Sequence, residues 1–148
     1  MKVWLSFGAA LLTGAVALSG AAFGETEIIK MRQQLMESNQ QAAKVASLMI
    51  RGTIPYDASV LEVLMNQIAL ETGIFPKLLL DSDKTNPTSN ALLAAYSEAA
   101  KLKTIAQKMS KDALAAADSA SKGVDAFRKA FGEVAGNCED CHESFRKP

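Results

Sequence analysis

Two cysteines and one histidine near the C-terminus are the residues of this chain best suited to do chemistry. They form the sequence Cys138-x-x-Cys141-His142, which contains every cysteine and the only histidine among the 148 residues. On a helix, positions i, i+3 and i+4 lie on one face, so both thiols and the imidazole would face the same ligand. This is the attachment pattern of a c-type haem: two thiols bond to the haem vinyl groups and the imidazole binds the iron.

Other kinds of site also use cysteine and histidine. A structural zinc site usually takes four nitrogen or sulfur ligands, and the chain has no second pair of such residues. A thioredoxin-like redox pair starts a helix in a βαβ unit, whereas this pair is near the C-terminus of a chain with no strand pattern. A disulfide between Cys138 and Cys141 would close a very small loop and would not require His142. Haem attachment is therefore the main prediction.

The first 24 residues predict a secretory signal peptide. Lys2 is followed by an apolar stretch over residues 3–18, and Ala22 and Gly24 place small residues at positions −3 and −1 before Glu25. The alternative is a membrane anchor, but the stretch is rich in Gly and Ala and is short for a span. We expect a signal peptide of residues 1–24, export to the periplasm, and a single domain of residues 25–148 that is not held in a membrane.

The charge balance and the residue types restrict the possible functions. Sixteen basic residues face sixteen acidic ones, and no basic patch suggests nucleic acid as a partner. The chain has no second histidine and no recognisable arrangement of acid, base and nucleophile. We therefore expect a protein that is not an enzyme.

Hydrophobic periodicity predicts four helices. We expect them over residues 25–51, from about residue 57 or 59 to 72, over 88–117, and from 123 to about 146. Segments with Gly and Pro separate the first two helices, and a polar loop over residues 80–87 precedes the third. Ser59 and Glu62 predict a capping box at the second helix. Four helices with short connections predict an all-α, antiparallel up-down-up-down four-helix bundle.

The haem motif shares a helix face with apolar side chains. In the first helix, Ile28, Leu35, Ala42 and Met49 repeat every seven residues and predict its buried stripe. In the fourth helix, residues at alternating spacings of three and four form one stripe: Val124, Phe127, Phe131, Val134, Cys138, Cys141 and Phe145. We therefore expect the haem to lie inside the bundle, with one edge towards solvent.

Three segments carry a resemblance to a known family. Residues 136–146 (GNCEDCHESFR) are similar to the family pattern Gly-x-Cys-x-x-Cys-His-x-x-Phe-Arg, residues 31–36 to its opening segment, and residues 52–57 to its first turn. Over residues 25–148 the chain resembles the class II c-type cytochromes, the cytochrome c′ family. The resemblance implies one covalently bound haem c in the periplasm, redox partner proteins and a possible homodimer through the first two helices. One departure is the absence of the family's Trp in residues 87–92.

The ligand on the far side of the iron decides the function. His142 is the only imidazole, so we predict it as the proximal ligand and Met36 as the sixth ligand, a common Met/His arrangement. Residues 35–39 and the following turn resemble the low-spin subgroup, which predicts an electron-transfer cytochrome. The alternative is a five-coordinate cytochrome c′ that binds NO or CO, with Met36 covering the distal face as an apolar side chain. A third hypothesis is a haem-free helical bundle that binds partners.

Two arginines are candidates for contacts at the haem edge. Arg32 lies one turn before Met36, and either pairs with a haem propionate or is a solvated arginine at the rim. Arg146 lies four residues after His142. It either holds a propionate and tunes the site, or interacts as a C-terminal cation with the helix dipole.

Overall fold

Four long helices make up the described part of the chain, which in the computed structural model comprises residues 24–148. The helices are α1 (Glu25–Ile50), α2 (Ala58–Ile74), the short α3 (Ala94–Ser97), α4 (Ala99–Ala120) and α5 (Val124–Phe145). Two short 3-10 helices, Phe75–Leu78 and Asp81–Asp83, follow α2. The long helices α1, α2, α4 and α5 pack against one another as a bundle, which confirms the predicted fold class.

The predicted signal peptide, apart from Gly24, lies outside the described residues. Among the helices that are described, none combines the length and apolar character needed to cross a membrane.

The third long helix differs from its prediction. It was expected over residues 88–117, but α4 begins at Ala99 and ends at Ala120, and the preceding residues are mostly irregular. Local hydrogen bonds compete with the helix there, since the Asn86 carboxamide oxygen accepts from the Thr88 N–H at 3.0 Å. The Leu92 N–H donates to the Phe145 carbonyl at 2.8 Å, which holds this segment against the end of α5.

The second helix begins with a different cap from the predicted one. Asp57 is the N-cap, and its carboxylate accepts from the backbone N–H groups of Ser59 at 2.9 Å and Val60 at 3.1 Å. The predicted capping box of Ser59 and Glu62 is therefore wrong. An aspartate one residue before the helix satisfies the same unpaired N–H groups and adds a negative charge at the positive end of the helix dipole.

The buried face of α1 is shifted from the predicted stripe. Ile28 and Leu35 are only half-buried, whereas the helix buries Ile29, Arg32, Asn39, Ala42, Ala46 and Met49. Two polar residues therefore occupy interior positions that the hydrophobic pattern alone did not reveal.

The predicted stripe on α5 is confirmed. Phe127, Val134 and Phe145 are buried, and Cys138 and Cys141 are half-buried and pack against the core. Phe127 stacks on Phe131 with 5.8 Å between ring centroids. The two thiols thus extend the aromatic core towards the C-terminal end of the bundle.

Candidate functional site: a haem cavity

A cavity of about 480 Å³ lies between the helices at the C-terminal end of α5. Most of its walls are apolar and come from every long helix; they include Ala43, Ile68, Phe75, Leu79, Leu102, Ile105, Ala106, Met109 and Phe145. The charged side chains of Arg32 and Arg146 also line the cavity, and α5 contributes two thiols and an imidazole. A flat apolar ring with two carboxylates matches this combination of apolar walls, cations and thiols, so the residues present fit a haem.

The α5 wall brings together the three residues of the predicted attachment motif. Cys138, Cys141 and His142 all line the same cavity. The cysteines are not bonded to each other. Burial raises the pKa of both thiols, and for Cys141 the neighbouring Cys138 contributes as well. Both sulfur atoms are therefore uncharged at neutral pH, which suits a largely apolar wall.

His142 lies at the edge of this wall, open to solvent on one side and to the cavity on the other. Partial burial, followed by the positive charge of Arg146, lowers the pKa of the imidazole. The neutral imidazole is the form that binds metal ions, so the site keeps His142 in its ligand form at neutral pH.

The α1 wall contributes Met36, which is half-buried and lines the same cavity as His142. A second thioether, that of Met109 on α4, also lines the cavity and is only 7% exposed. The structure shows that it is both a core residue and part of the cavity wall.

Arg32 is buried deeply in the interior of the protein. Its guanidinium donates to the Asp83 carboxylate at 2.6 Å, to the Ser89 hydroxyl at 2.8 Å and to the Leu78 carbonyl at 3.0 Å. With only 2% of the residue exposed, the predicted alternative of a solvated rim arginine is wrong. Contact with a haem propionate stays a prediction, and Arg32 does line the cavity.

Arg146 is exposed and lines the mouth of the cavity. Its backbone forms an antiparallel bridge with Ala91, and the Lys147 N–H donates to the Asn90 carbonyl at 2.9 Å. Asn90 and Ala91 line the cavity as well. The loop before α3 therefore forms part of the wall although it lacks the tryptophan found in the family.

Two buried polar residues of this region were not recognised in the sequence. Asp83 belongs to the polar loop predicted over residues 80–87, and Asn39 was named only as part of residues 35–39, which resemble the low-spin subgroup. The structure buries both, and within residues 24–148 neither atom of the Asn39 carboxamide has a hydrogen-bond partner. The only available signal for Asn39 was its spacing of three from Met36 and seven from Arg32, which places all three on one helix face.

A four-helix bundle whose last helix carries Cys-x-x-Cys-His in an apolar cavity defines a class of covalent haem proteins. The chain belongs to the cytochrome c′ family, whose profile matches residues 27–146. A cytochrome c′ from Rhodopseudomonas palustris is 32% identical over 142 residues, covering 93% of this chain and 94% of the relative. The chain therefore carries one covalently bound haem c with its iron.

Solved structures of two proteins agree with this assignment. The structure of cytochrome c′ from Rhodopseudomonas palustris is 26% identical, with a TM-score of 0.77, and covers 82% of this chain and 96% of its own. The structure of oxidised cytochrome c556 from R. palustris is 25% identical, with a TM-score of 0.75, and covers 83% of this chain and 98% of its own.

Proposed function

We propose that the protein is a non-enzymatic cytochrome c′ that binds small gases such as NO or CO. Cys138 and Cys141 hold the haem through thioether bonds, and His142 supplies the proximal ligand. When bound, the haem supplies an iron that takes up a diatomic ligand on its distal side. The match to a cytochrome c′ over almost the whole chain carries this proposal.

The distal wall fits this assignment. Met36 lines the cavity together with the apolar side chains of Ala43 and Ile68, while α1 also brings polar side chains such as Gln40 to this wall. In many members of the family that the chain resembles, the side chain matching Met36 covers the distal face without binding iron. Here Met36 excludes water, and its unbranched thioether can move to admit a small ligand.

The second candidate function is electron transfer with Met36 as the sixth ligand. The position of Met36 favours electron transfer, because Met36 on α1 and His142 on α5 line the same cavity. Both residues are on long helices, so a Met–iron–His arrangement would change little between oxidation states.

Absorption spectra distinguish the two functions. We expect a high-spin oxidised spectrum and prompt CO binding after reduction. Met36→Leu, which conserves volume, should leave the high-spin spectrum in place, as should the matched control Met109→Leu. A Met–iron charge-transfer band in the wild type that is lost in Met36→Leu but kept in Met109→Leu would instead establish electron transfer with Met36 as ligand.

The covalent attachment has its own test. Haem staining on a denaturing gel should be retained in the wild type and abolished when Cys138 and Cys141 are both replaced by Ala. Retention of the stain in this double variant would contradict the proposed attachment, and absence of the stain in the wild type would favour the haem-free bundle.

We further propose that the protein acts in the periplasm, where cytochrome c′ homologues are found. The sequence prediction of cleavage after Gly24 supports export. The mature protein should then begin at Glu25, which mass spectrometry of the periplasmic fraction would show. A chain of full length in that fraction would contradict the predicted cleavage.

A homodimer through α1 and α2 and redox partner proteins are also part of the proposal. One structure with this fold, a cytochrome c′ that is 22% identical with a TM-score of 0.77, is described as undergoing ligand-controlled dimer dissociation. In the present chain, α2 exposes large apolar side chains at Val63 and Leu70, which are compatible with a helix-packed interface.

A further inference from the structure

We infer that Asn39 is a hydrogen-bond donor to the small ligand on the distal side of the haem cavity. It would favour ligands whose outer atom accepts a hydrogen bond, so that NO is retained better than CO. This inference rests on the proposed function, because it requires an open sixth position on the iron. It adds a specificity-determining residue to a cavity whose walls as a whole are mostly apolar.

The first observation is an unsatisfied buried amide. Asn39 is 6% exposed, and neither its carboxamide oxygen nor its nitrogen has a hydrogen-bond partner within the described residues. Buried polar side chains nearly always have a partner, and leaving one unpaired is destabilising. An apolar side chain of similar size would avoid this cost, so the amide calls for a ligand that is absent from the protein itself.

The second observation is where the amide lies. Asn39 lines the cavity that also contains Cys138, Cys141 and His142. It follows Met36 by three residues on α1, so both belong to the wall contributed by that helix. Arg32 lies on the other side of Met36 along α1. Asn39 is therefore about one turn from Met36 and about two turns from the buried charged pair of Arg32 and Asp83.

Two other polar side chains, one in the same cavity and one next to Asn39 in the sequence, already have partners. The Thr72 hydroxyl lines the same cavity but donates to the Ile68 carbonyl at 2.7 Å. The Ser38 hydroxyl, next to Asn39 in sequence, donates to the Glu71 carboxylate at 3.1 Å and accepts from Gln67 at 2.6 Å. Apart from its two propionates a haem ring is apolar, so a small polar ligand beside the ring is the partner best suited to this amide.

The expected effect is one of selectivity. A donated N–H stabilises a ligand that carries partial negative charge on its outer atom and does little for one that does not. The net contribution of one hydrogen bond changes an equilibrium constant only modestly. Loss of the Asn39 donor should therefore lower the ratio of NO to CO affinity by about threefold to tenfold.

The test uses the haem-loaded protein and three variants. Asn39→Leu removes the donor at similar volume, and Asn39→Ala serves as a second variant if the leucine does not fit. Ser38→Ala is the matched control, because it removes a hydroxyl next to Asn39 in the sequence that lies outside the cavity lining and is already bonded to Glu71. The readouts are the C–O stretching frequency of the reduced CO complex and the dissociation rates of NO and CO.

We expect Asn39→Leu and Asn39→Ala to raise the C–O stretching frequency and to speed NO release more than CO release, whereas Ser38→Ala should change neither. The inference is overturned, while gas binding stands, if two results are found. The CO complexes of the wild type and the Asn39 variants would have the same C–O stretching frequency, and the ratio of the NO and CO dissociation rates would be the same in all of them. If the wild type binds neither gas, the proposed function fails and the inference falls with it.

Discussion

At the scale of single residues, Arg32 is the most unusual side chain in the bundle. A guanidinium and a carboxylate with 2% and 0% of their side-chain surface exposed are stable only because they pair at 2.6 Å. The additional bonds to Ser89 and Leu78 satisfy the guanidinium, whereas within the described residues the second carboxylate oxygen of Asp83, Oδ1, has no hydrogen-bond partner. Arg32 therefore ties the segment after α2 and the loop before α3 to the first helix, beside the haem cavity.

Removing one partner of this pair should be much worse than removing both. Arg32→Met leaves Asp83 buried and unpaired, and we expect a loss of about 3–5 kcal/mol in the free energy of unfolding. The double variant Arg32→Met with Asp83→Leu should recover most of the loss, because apolar side chains replace both charges. Urea denaturation followed by circular dichroism measures both changes.

The control for the buried pair is Lys30→Met on the same helix. Lys30 pairs with Glu27 at the surface, where 58% of the lysine side chain is exposed, so little change is expected. Equal effects of Arg32→Met and Lys30→Met, or a double variant no more stable than Arg32→Met, would show that the buried pair does not have the proposed role.

Residues were predictable from the sequence where their spacing alone defines the chemistry. Cys138, Cys141 and His142 needed only the geometry of one helix, and the structure places all three in one cavity. Asp83 and Asn39 were not predictable, because their burial depends on which distant segments close over them. A polar residue on the inner face of a helix has the same sequence appearance as one at the surface.

At the scale of the elements, the start of α2 depends on Asp57. Replacing Asp57 with Ala removes the acceptor for two backbone N–H groups, and we expect a loss of about 1 kcal/mol in the free energy of unfolding. Glu62→Ala should have a smaller effect, since the capping box to which it was assigned does not form. Thermal unfolding of the two variants provides the comparison, and a larger loss for Glu62→Ala would contradict the Asp57 cap.

A second element-scale contact joins α4 to α5 one residue before the haem motif. The Lys108 ammonium donates to the Asp112 carboxylate at 2.8 Å and to the Asn137 carboxamide oxygen at 2.9 Å. The Asn137 amide donates to Asp112 at 2.7 Å. The bond from Lys108, supported by the bond from Asn137, lowers the pKa of Asp112 against the opposing effect of burial.

This lowered pKa gives the contact a defined pH dependence. A carboxylate whose pKa is lower in the folded state stabilises the fold above its unfolded pKa of about 3.9, and this contribution is lost as the pH falls through the folded pKa. We therefore expect Asp112→Asn to be destabilising at neutral pH, with the difference from the wild type shrinking below about pH 4. Urea midpoints measured across the acid range test this.

The matched control for Asp112 is Asp118→Asn, an exposed aspartate on the same helix. As an exposed side chain without a hydrogen-bond partner within the described residues, it should change stability little at neutral pH. A loss for Asp112→Asn that stays constant down to the most acidic conditions would argue against the lowered pKa as the source of stability.

The third long helix shows where elements could not be predicted from the sequence. Alanine-rich composition favours a helix over the whole of residues 88–117, but composition does not report the pairing of residues 90–92 with residues 145–147. That pairing joins two segments of the cavity wall and keeps the chain irregular until α3. The bounds of the other three long helices, α1, α2 and α5, were predicted to within a few residues.

At the scale of the whole molecule, the outer face of α2 carries a group of exposed apolar side chains. The α2 patch consists of four exposed side chains on one helix: Val60, Val63, Leu70 and Ile74. Val63 and Leu70 are 66% and 67% exposed and lie seven residues apart, so they share a face of α2. An exposed apolar patch of this kind is typical of an interaction surface.

The proposed homodimer should depend on this α2 patch. Placing charge on it with Val63→Lys and Leu70→Lys should convert a dimer to a monomer, because two buried ammonium groups would face each other across a symmetric interface. Sedimentation velocity of the haem-loaded protein measures the change. Leu114→Lys on α4 is the control, since Leu114 is 48% exposed outside the patch and its substitution should leave the dimer intact. A monomeric wild type, or equal dissociation by the Leu114 variant, would rule out the α2 interface.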